Sequence, residues 1–80
     1  MGNTEIALAC LPIGHRAQVV KVGTEGLPRN RLLDLGLVPS TVVEAVRKSP
    51  AGDPVAYNIR GAIIALRSEE SRLITVRPLA

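Results

Sequence analysis

The stretch from Pro28 to Pro39 leaves the chain less freedom than any other. Pro28 suits the first position of a helix, where its missing N–H removes no hydrogen bond. Arg29, Asn30, Arg31 and Asp34 then form a polar face and Leu32, Leu33 and Leu35 an apolar one, the pattern of a helix buried on one side. Gly36 falls where the chain needs a left-handed residue to leave the helix, and Leu37 follows where it can pack back on Leu32. Pro39 prevents the helix from resuming. Two helical turns fit between these stops.

Elsewhere the dominant period is two. Over residues 17–22, Ala17, Val19 and Lys21 alternate with Gln18, Val20 and Val22, so Val20 and Val22 should share a face. Residues 41–48 read as a second long strand, with Thr41, Val43 and Ala45 on one side and Val42 and Val46 on the other. Ser49-Pro50-Ala51-Gly52-Asp53-Pro54 is a dense turn signal, and it reverses the chain into a strand over 55–60 in which Val55, Tyr57 and Ile59 share a face. Gly61 breaks the pattern as a bulge or barrel corner would. A fourth strand over 62–67 puts Ile64 and Leu66 inward and leaves Ile63 outward. Ser68 reads as the N-cap of a single helical turn with Glu69 and Glu70 near its positive end. Residues 73–77 return to strand with Ile74 and Val76 inward, and Pro78 ends it.

Residues 1–7 read as a loose N-terminus, after which Leu8, Leu11 and Ile13 lead through Pro12 and Gly14 into the first strand. A turn with a glycine at each end covers 23–26. The fold expected is mainly β, one domain over residues 1–80. It has five short strands closed into a small barrel, one short two-turn helix, and a single helical turn before the last strand. Closure would remove exposed strand edges. Tyr57 is the only aromatic residue although 46% of the chain is apolar, so aliphatic side chains must build the core.

One cysteine, Cys10, cannot make an intramolecular disulfide, and the apolar run from Ile6 to Leu11 is too short for a signal sequence or a membrane span. The expected setting is the cytoplasm, with membranes reached only through a partner.

Reactive constellations are not apparent. Cys10 and His15 have no acidic third member nearby, and they read as a small buried thiol and a surface histidine. One His and one Cys cannot supply the three or four ligands of a closed transition-metal site. Gly14, Gly23 and Gly26 do not form a phosphate loop. The net charge of +3 is dispersed from Arg16 to Arg77, without the concentrated patch and stacking aromatics of nucleic-acid binders. The residues thus predict no catalytic group, metal site or cofactor, and point to binding: Val42, Val46 and Ile63 are outward apolar residues that a partner, or a second copy, could cover.

Several segments, in order and spacing, resemble the FeoA family. They are Leu33-Asp34-Leu35-Gly36-Leu37-Val38-Pro39-Ser40-Thr41, the Ser49–Pro54 turn, Ile59-Arg60-Gly61, and Ile64-Ala65-Leu66-Arg67-Ser68-Glu69-Glu70. The likeness covers roughly residues 8–77. The chain departs from the family pattern at Ser40, where glycine is usual and the turn should be less tight without it. It departs again at Val42, where many members carry a polar residue. The resemblance implies an SH3-like barrel and an accessory role beside FeoB, the membrane protein with a cytosolic GTP-binding domain that imports ferrous iron. The same module resembles the C-terminal domain of iron- and manganese-dependent repressors; with no DNA-binding domain preceding it here, a free-standing adaptor is the favoured reading. The docking surface expected is Leu32, Leu33, Leu35, Gly36 and Leu37 from the helix and its stop, with Val42, Val46, Arg47 and Lys48 from the next strand. Self-association is an alternative use of such a surface. Two rival functions stay open: an SH3-like barrel binding nucleic acid, and a direct metal-sensing domain.

Overall fold

The computed structural model describes residues 4–23 and 27–79; residues 24–26 of the turn expected over 23–26, and residues 1–3 of the loose N-terminus expected over 1–7, lie outside them. Six strands form one antiparallel sheet: β1 (Ile6–Ala7), β2 (Arg16–Val22), β3 (Val42–Lys48), β4 (Val55–Ile59), β5 (Ala62–Leu66) and β6 (Ile74–Pro78). Helix α1 spans Leu27–Asp34, α2 spans Ser68–Ser71, and a 3-10 turn covers Leu8–Cys10. The strand order is β1-β6-β2-β3-β4-β5, and among the described residues no ladder joins β1 to β5.

The strand count corrects the expectation of five. Ile6 pairs with Val76 and Ala7 with Thr75, so the chain is held from Ile6 onward. Leu8 and Leu11 are core residues. Two residues are too few to show alternation, and what draws this segment in is the burial of Leu8 and Leu11 behind it.

Alternation sorts most side chains as expected. Val43 and Ala45, Tyr57 and Ile59, Leu66, and Ile74 and Val76 are buried on one side of the sheet, whereas Val42, Val46 and Ile63 are exposed. Strand β2 departs from it. Ala17 and Val19 are buried and Val22 packs on the same core, because Val20 is an extra residue between the pairs Val19–Val76 and Lys21–Thr75. The bulge shifts the phase of the strand, so Val20 and Val22 do not share a face. A second bulge in β3, at Val46, lies between the pairs Ala45–Tyr57 and Arg47–Ala56.

Helix α1 ends as its sequence requires. The Leu37 N–H donates to the Leu32 carbonyl at 3.1 Å and the Gly36 N–H to Leu33 at 2.9 Å, with Gly36 at φ +99°. These two bonds are a Schellman closure, and it delivers Leu37 into the core beside Leu32. Burying one leucine completely stabilises by roughly 1.5–3 kcal/mol. Pro28 is the second residue of the helix, one place later than expected, still a first-turn position where an N–H would have no partner within the helix, so its absence removes no bond.

Two turns correct the sequence reading. Gly61 marks neither a bulge nor a barrel corner: Ile59 pairs with Ala62, so Arg60 and Gly61 are the two-residue turn of a tight hairpin. Both have positive φ, 55° and 90°, as a type I′ turn demands, and the Asn58 Oδ1 accepts the Gly61 N–H at 3.0 Å. Helix α2 begins one residue earlier than a Ser68 N-cap implies. Its flanking residue is Arg67, whose side chain has no acceptor. The free N–H groups go elsewhere: Arg67 donates to the Glu70 carboxylate at 3.1 Å, and Ser68 to Asp53 Oδ1 at 2.8 Å. Glu70 also pairs with Arg31, tying α2 to α1.

Tyr57 is the largest fully buried side chain among the described residues, 1% exposed, with its hydroxyl 3.5 Å from the Leu8 carbonyl. Burial pushes its hydroxyl pKa up, and a hydrogen bond with Ser71, itself buried, offsets part of that.

Candidate functional site

The outward face of the sheet carries exposed apolar side chains, among them Val42, Val46 and Ile63. Cross-strand register places Arg16, Glu44, Asn58 and Ile63 in one row over β2 to β5. Beside that row stands Val42, paired with Gln18 and 43% exposed.

Two open depressions meet at Val42 and Arg60. One, of about 440 Å³, is lined by Pro39, Ser40, Thr41, Val42 and Arg60. The other, of about 260 Å³, is lined by Arg16, Val42, Val43, Glu44, Asn58, Arg60 and Gly61. Together they make a groove whose two parts share Val42 and Arg60, with Arg16 lining the smaller one. Among the described residues, ion pairs join Arg31 to Glu70 and Arg77 to Glu5; neither involves Arg16 or Arg60.

Backbone strain gathers at the same groove. Ser40 (φ 80°) and Arg60 (φ 55°) are the described non-glycine residues with positive φ. Such conformations cost on the order of 1–3 kcal/mol each and persist where the surroundings impose them. Ser40 is held there tightly, contrary to the looser turn expected without glycine. The Thr41 N–H bonds Val38 at 3.1 Å, the Ser40 N–H bonds Val19 at 2.8 Å, and Gln18 donates to the Ser40 carbonyl at 3.2 Å. The Pro39–Ser40 turn keeps the positive φ that a type II turn requires at its third residue, and three hydrogen bonds offset the side chain's strain.

The expected docking residues separate into three groups. Leu32 and Leu37 are 1% and 0% exposed, so they offer a partner no surface; their place in the expected site is corrected to the core, because the Schellman closure turns both inward. Leu33 and Leu35 are half-buried, Leu35 against the core. Val42, Val46, Arg47 and Lys48 are exposed. Strict alternation would send Val46 and Arg47 to opposite faces, but the bulge sets both on the outer one. Lys48 lies roughly 20 Å along the strand from Val42, from a rise of about 3.3 Å per residue, and the two do not form one contact.

Arg60 was not among the expected residues, yet it joins the helix stop to the groove. A Cβ built on Gly36 would lie 3.3 Å from the Arg60 Cδ, so the arginine stem crosses directly over the glycine. Adjacency of residues 36 and 60 has no local signal; only an arginine standing where asparagine or aspartate is usual in such a turn hints at a use for it.

Cys10, expected as a buried thiol, is exposed, since the 3-10 turn buries Leu8 and rotates Cys10 outward. Among the described residues no three His, Cys, Asp or Glu side chains converge, and no helix is long and apolar enough to cross a membrane. The groove can hold an extended segment by apolar contact at Val42 and carboxylate pairing at Arg60 and Arg16.

Comparison with known proteins places this geometry. A family model described as the FeoA domain matches residues 6–78. A Porphyromonas gingivalis protein, an Fe(2+) transport protein A/Fe(2+) transporter FeoB fusion, is 35% identical over 69 residues, which are 86% of this chain and 8% of that protein. The chain thus spans a small part of the curated relative it matches. Among solved structures, the FeoA protein from Chlorobium tepidum is 40% identical with a TM-score of 0.87, over 94% of this chain and 71% of that one. The FeoA of Stenotrophomonas maltophilia, described as an SH3 domain protein and complexed with zinc, is 30% identical with a TM-score of 0.77, over 86% of each chain. A manganese-dependent transcriptional repressor shares the fold alone, at 14% identity and a TM-score of 0.85 over 96% of this chain and 43% of that one.

Proposed function

The chain belongs to the FeoA family, and from that premise we propose that it is a non-enzymatic accessory of ferrous iron uptake that docks on the cytosolic part of an FeoB-type transporter and modulates it. The observation that carries this reading is the fusion protein of Porphyromonas gingivalis, in which a related segment shares one polypeptide with FeoB. Two partners joined in one chain meet at the high effective concentration of a tether, so a weak contact suffices between them. Tethered or not, the domain needs a surface that recognises the transporter.

The groove between Ser40 and Arg60 is that surface in our reading. Its exposed Val42, its two guanidiniums and its strained rim distinguish it from the rest of the sheet. Occupation would bias the conformation or nucleotide cycle of the transporter by favouring one of its states. Titration calorimetry of the whole chain against the transporter's cytosolic region, in each nucleotide state, tests the proposal. Binding is expected, and Val42→Asp and Arg60→Glu should each weaken it at least about tenfold, or 1.4 kcal/mol. Absence of binding in every nucleotide state would end the transporter reading. Binding untouched by both variants would keep the partner and move the site.

A further inference from the structure

The sheet has two ends, and they are unlike. At one, β1 is two residues long, followed by the 3-10 turn and flanked by the Glu5–Arg77 ion pair. At the other, β5 runs for five residues, Ala62-Ile63-Ile64-Ala65-Leu66, with no charge, no proline and no register shift against β4. Strand edges in proteins that remain single are usually blunted by lysine, proline, a bulge or a covering element. This one carries Ile63, which at 58% is the most exposed large apolar residue among the described ones.

The free hydrogen-bonding groups follow from the hairpin. In a two-residue turn the pair flanking it exchanges both its bonds, so Ala62, Ile64 and Leu66 bond to β4 and the residues between do not. Ile63 and Ala65 therefore aim N–H and C=O away from the sheet. None of the other described backbone hydrogen bonds uses them.

We propose that β5 pairs antiparallel with β5 of a second copy of this chain, about a two-fold axis at Ile64. In that register Ile63 faces Ala65 of the other copy and Ala65 faces its Ile63, which closes four N–H···O bonds. Ile64 meets Ile64 on the core side, and on the outer side a large residue lies against a small one at both ends. Beyond the strand, the two-fold turns the hairpin end of one copy, which carries the exposed Arg60, toward the start of α2 of the other, which carries the exposed Glu69. A two-fold contact needs this self-complementarity. The interface is small, in the transient class below about 1,200 Å², and each copy carries +3. The dimer is therefore rapidly exchanging. The inference stands apart from the transporter reading, since it needs no other protein.

Sedimentation equilibrium of the whole chain up to about 1 mM, where even a weak complex of roughly −4 kcal/mol is half formed, should reveal dimers. Amide exchange should slow with concentration at Ile63 and Ala65 while Ala62, Ile64 and Leu66 stay protected throughout. Ile63→Lys places a charge on the edge, and Ala65→Pro removes an N–H that β4 does not use; each should abolish the dimer with far-ultraviolet dichroism unchanged. Arg60→Glu should weaken it and Arg60→Glu with Glu69→Arg should restore it. A single monomeric mass over the whole range overturns the proposal, as does a dimer that survives both edge substitutions. Protection at Ile63 and Ala65 that appears only when the transporter region is added also overturns it, in favour of a strand donated by another protein.

Discussion

Leu37→Ala is the sharpest test of which leucines serve the fold and which surface serves a partner. Leu37 is fully buried, the C″ residue of the closure that ends α1, and shares the core with Leu32. Deleting most of its side chain removes the transfer term and leaves a cavity, together about 2–5 kcal/mol. At about 0.05–0.15 kcal/mol per residue, a domain of 80 residues holds only about 4–12 kcal/mol in all. The variant should therefore lose a large fraction of its stability, with a fall in Tm of at least about 8 °C. Val42→Ala, at a site 43% exposed, should change stability by less than about 0.5 kcal/mol while weakening transporter binding. Urea unfolding followed by circular dichroism, beside binding isotherms, reads both quantities. Were Leu37→Ala to cost under about 1 kcal/mol, or Val42→Ala to cost as much as Leu37→Ala, the division into inner and outer faces would be wrong.

Further outcomes follow from the same contacts. Gly36→Val should destabilise by about 1–2 kcal/mol, because an L side chain at φ +99° is strained and its Cβ would press on the Arg60 Cδ at 3.3 Å; urea midpoints measure it, and partner binding should fall with it. Asp53→Ala should cost about 1 kcal/mol, the usual loss when a capping acceptor is removed, since Asp53 accepts the Ser68 N–H at 2.8 Å; Asp53→Asn, which keeps the acceptor, should retain most of that in the same melts. Tyr57 has its pKa raised in the folded state by burial, so its neutral form is favoured there. Its contribution is complete below the ordinary tyrosine value of 10.0 and is lost as pH rises through the folded value. Unfolding free energy should fall more steeply above pH 10.0 in the parent chain than in Tyr57→Phe, and a common alkaline profile would contradict the burial.

What was legible in the residues is what neighbours along the chain decide. Gly36, Leu37 and Pro39 end a helix through hydrogen bonds no more than five residues long, and the closure at Leu32 and Leu33 followed. Val43 and Ala45 against Val42 and Val46 is a period of two, and burial obeyed it. The extra residues Val20 and Val46 left no mark, because a bulge adds one residue without any required composition. The strand at Ile6–Ala7 was too short for a pattern. The turn at Arg60–Gly61 was misread as a bulge because arginine stands where asparagine is usual.

By itself, then, the sequence determined that this chain would be mainly β with one halted helix, and that its family is FeoA. The groove at Val42 and Arg60 was a matter for tertiary structure. Arg60 lies over Gly36, and the Ser40 N–H bonds the Val19 carbonyl, only because the sheet and the helix stop bring distant residues together. The same packing withdrew Leu32 and Leu37 from the surface and left Val42 on it. Local preference depends on a few adjoining residues, whereas a recognition surface depends on which side chains the whole core has already consumed.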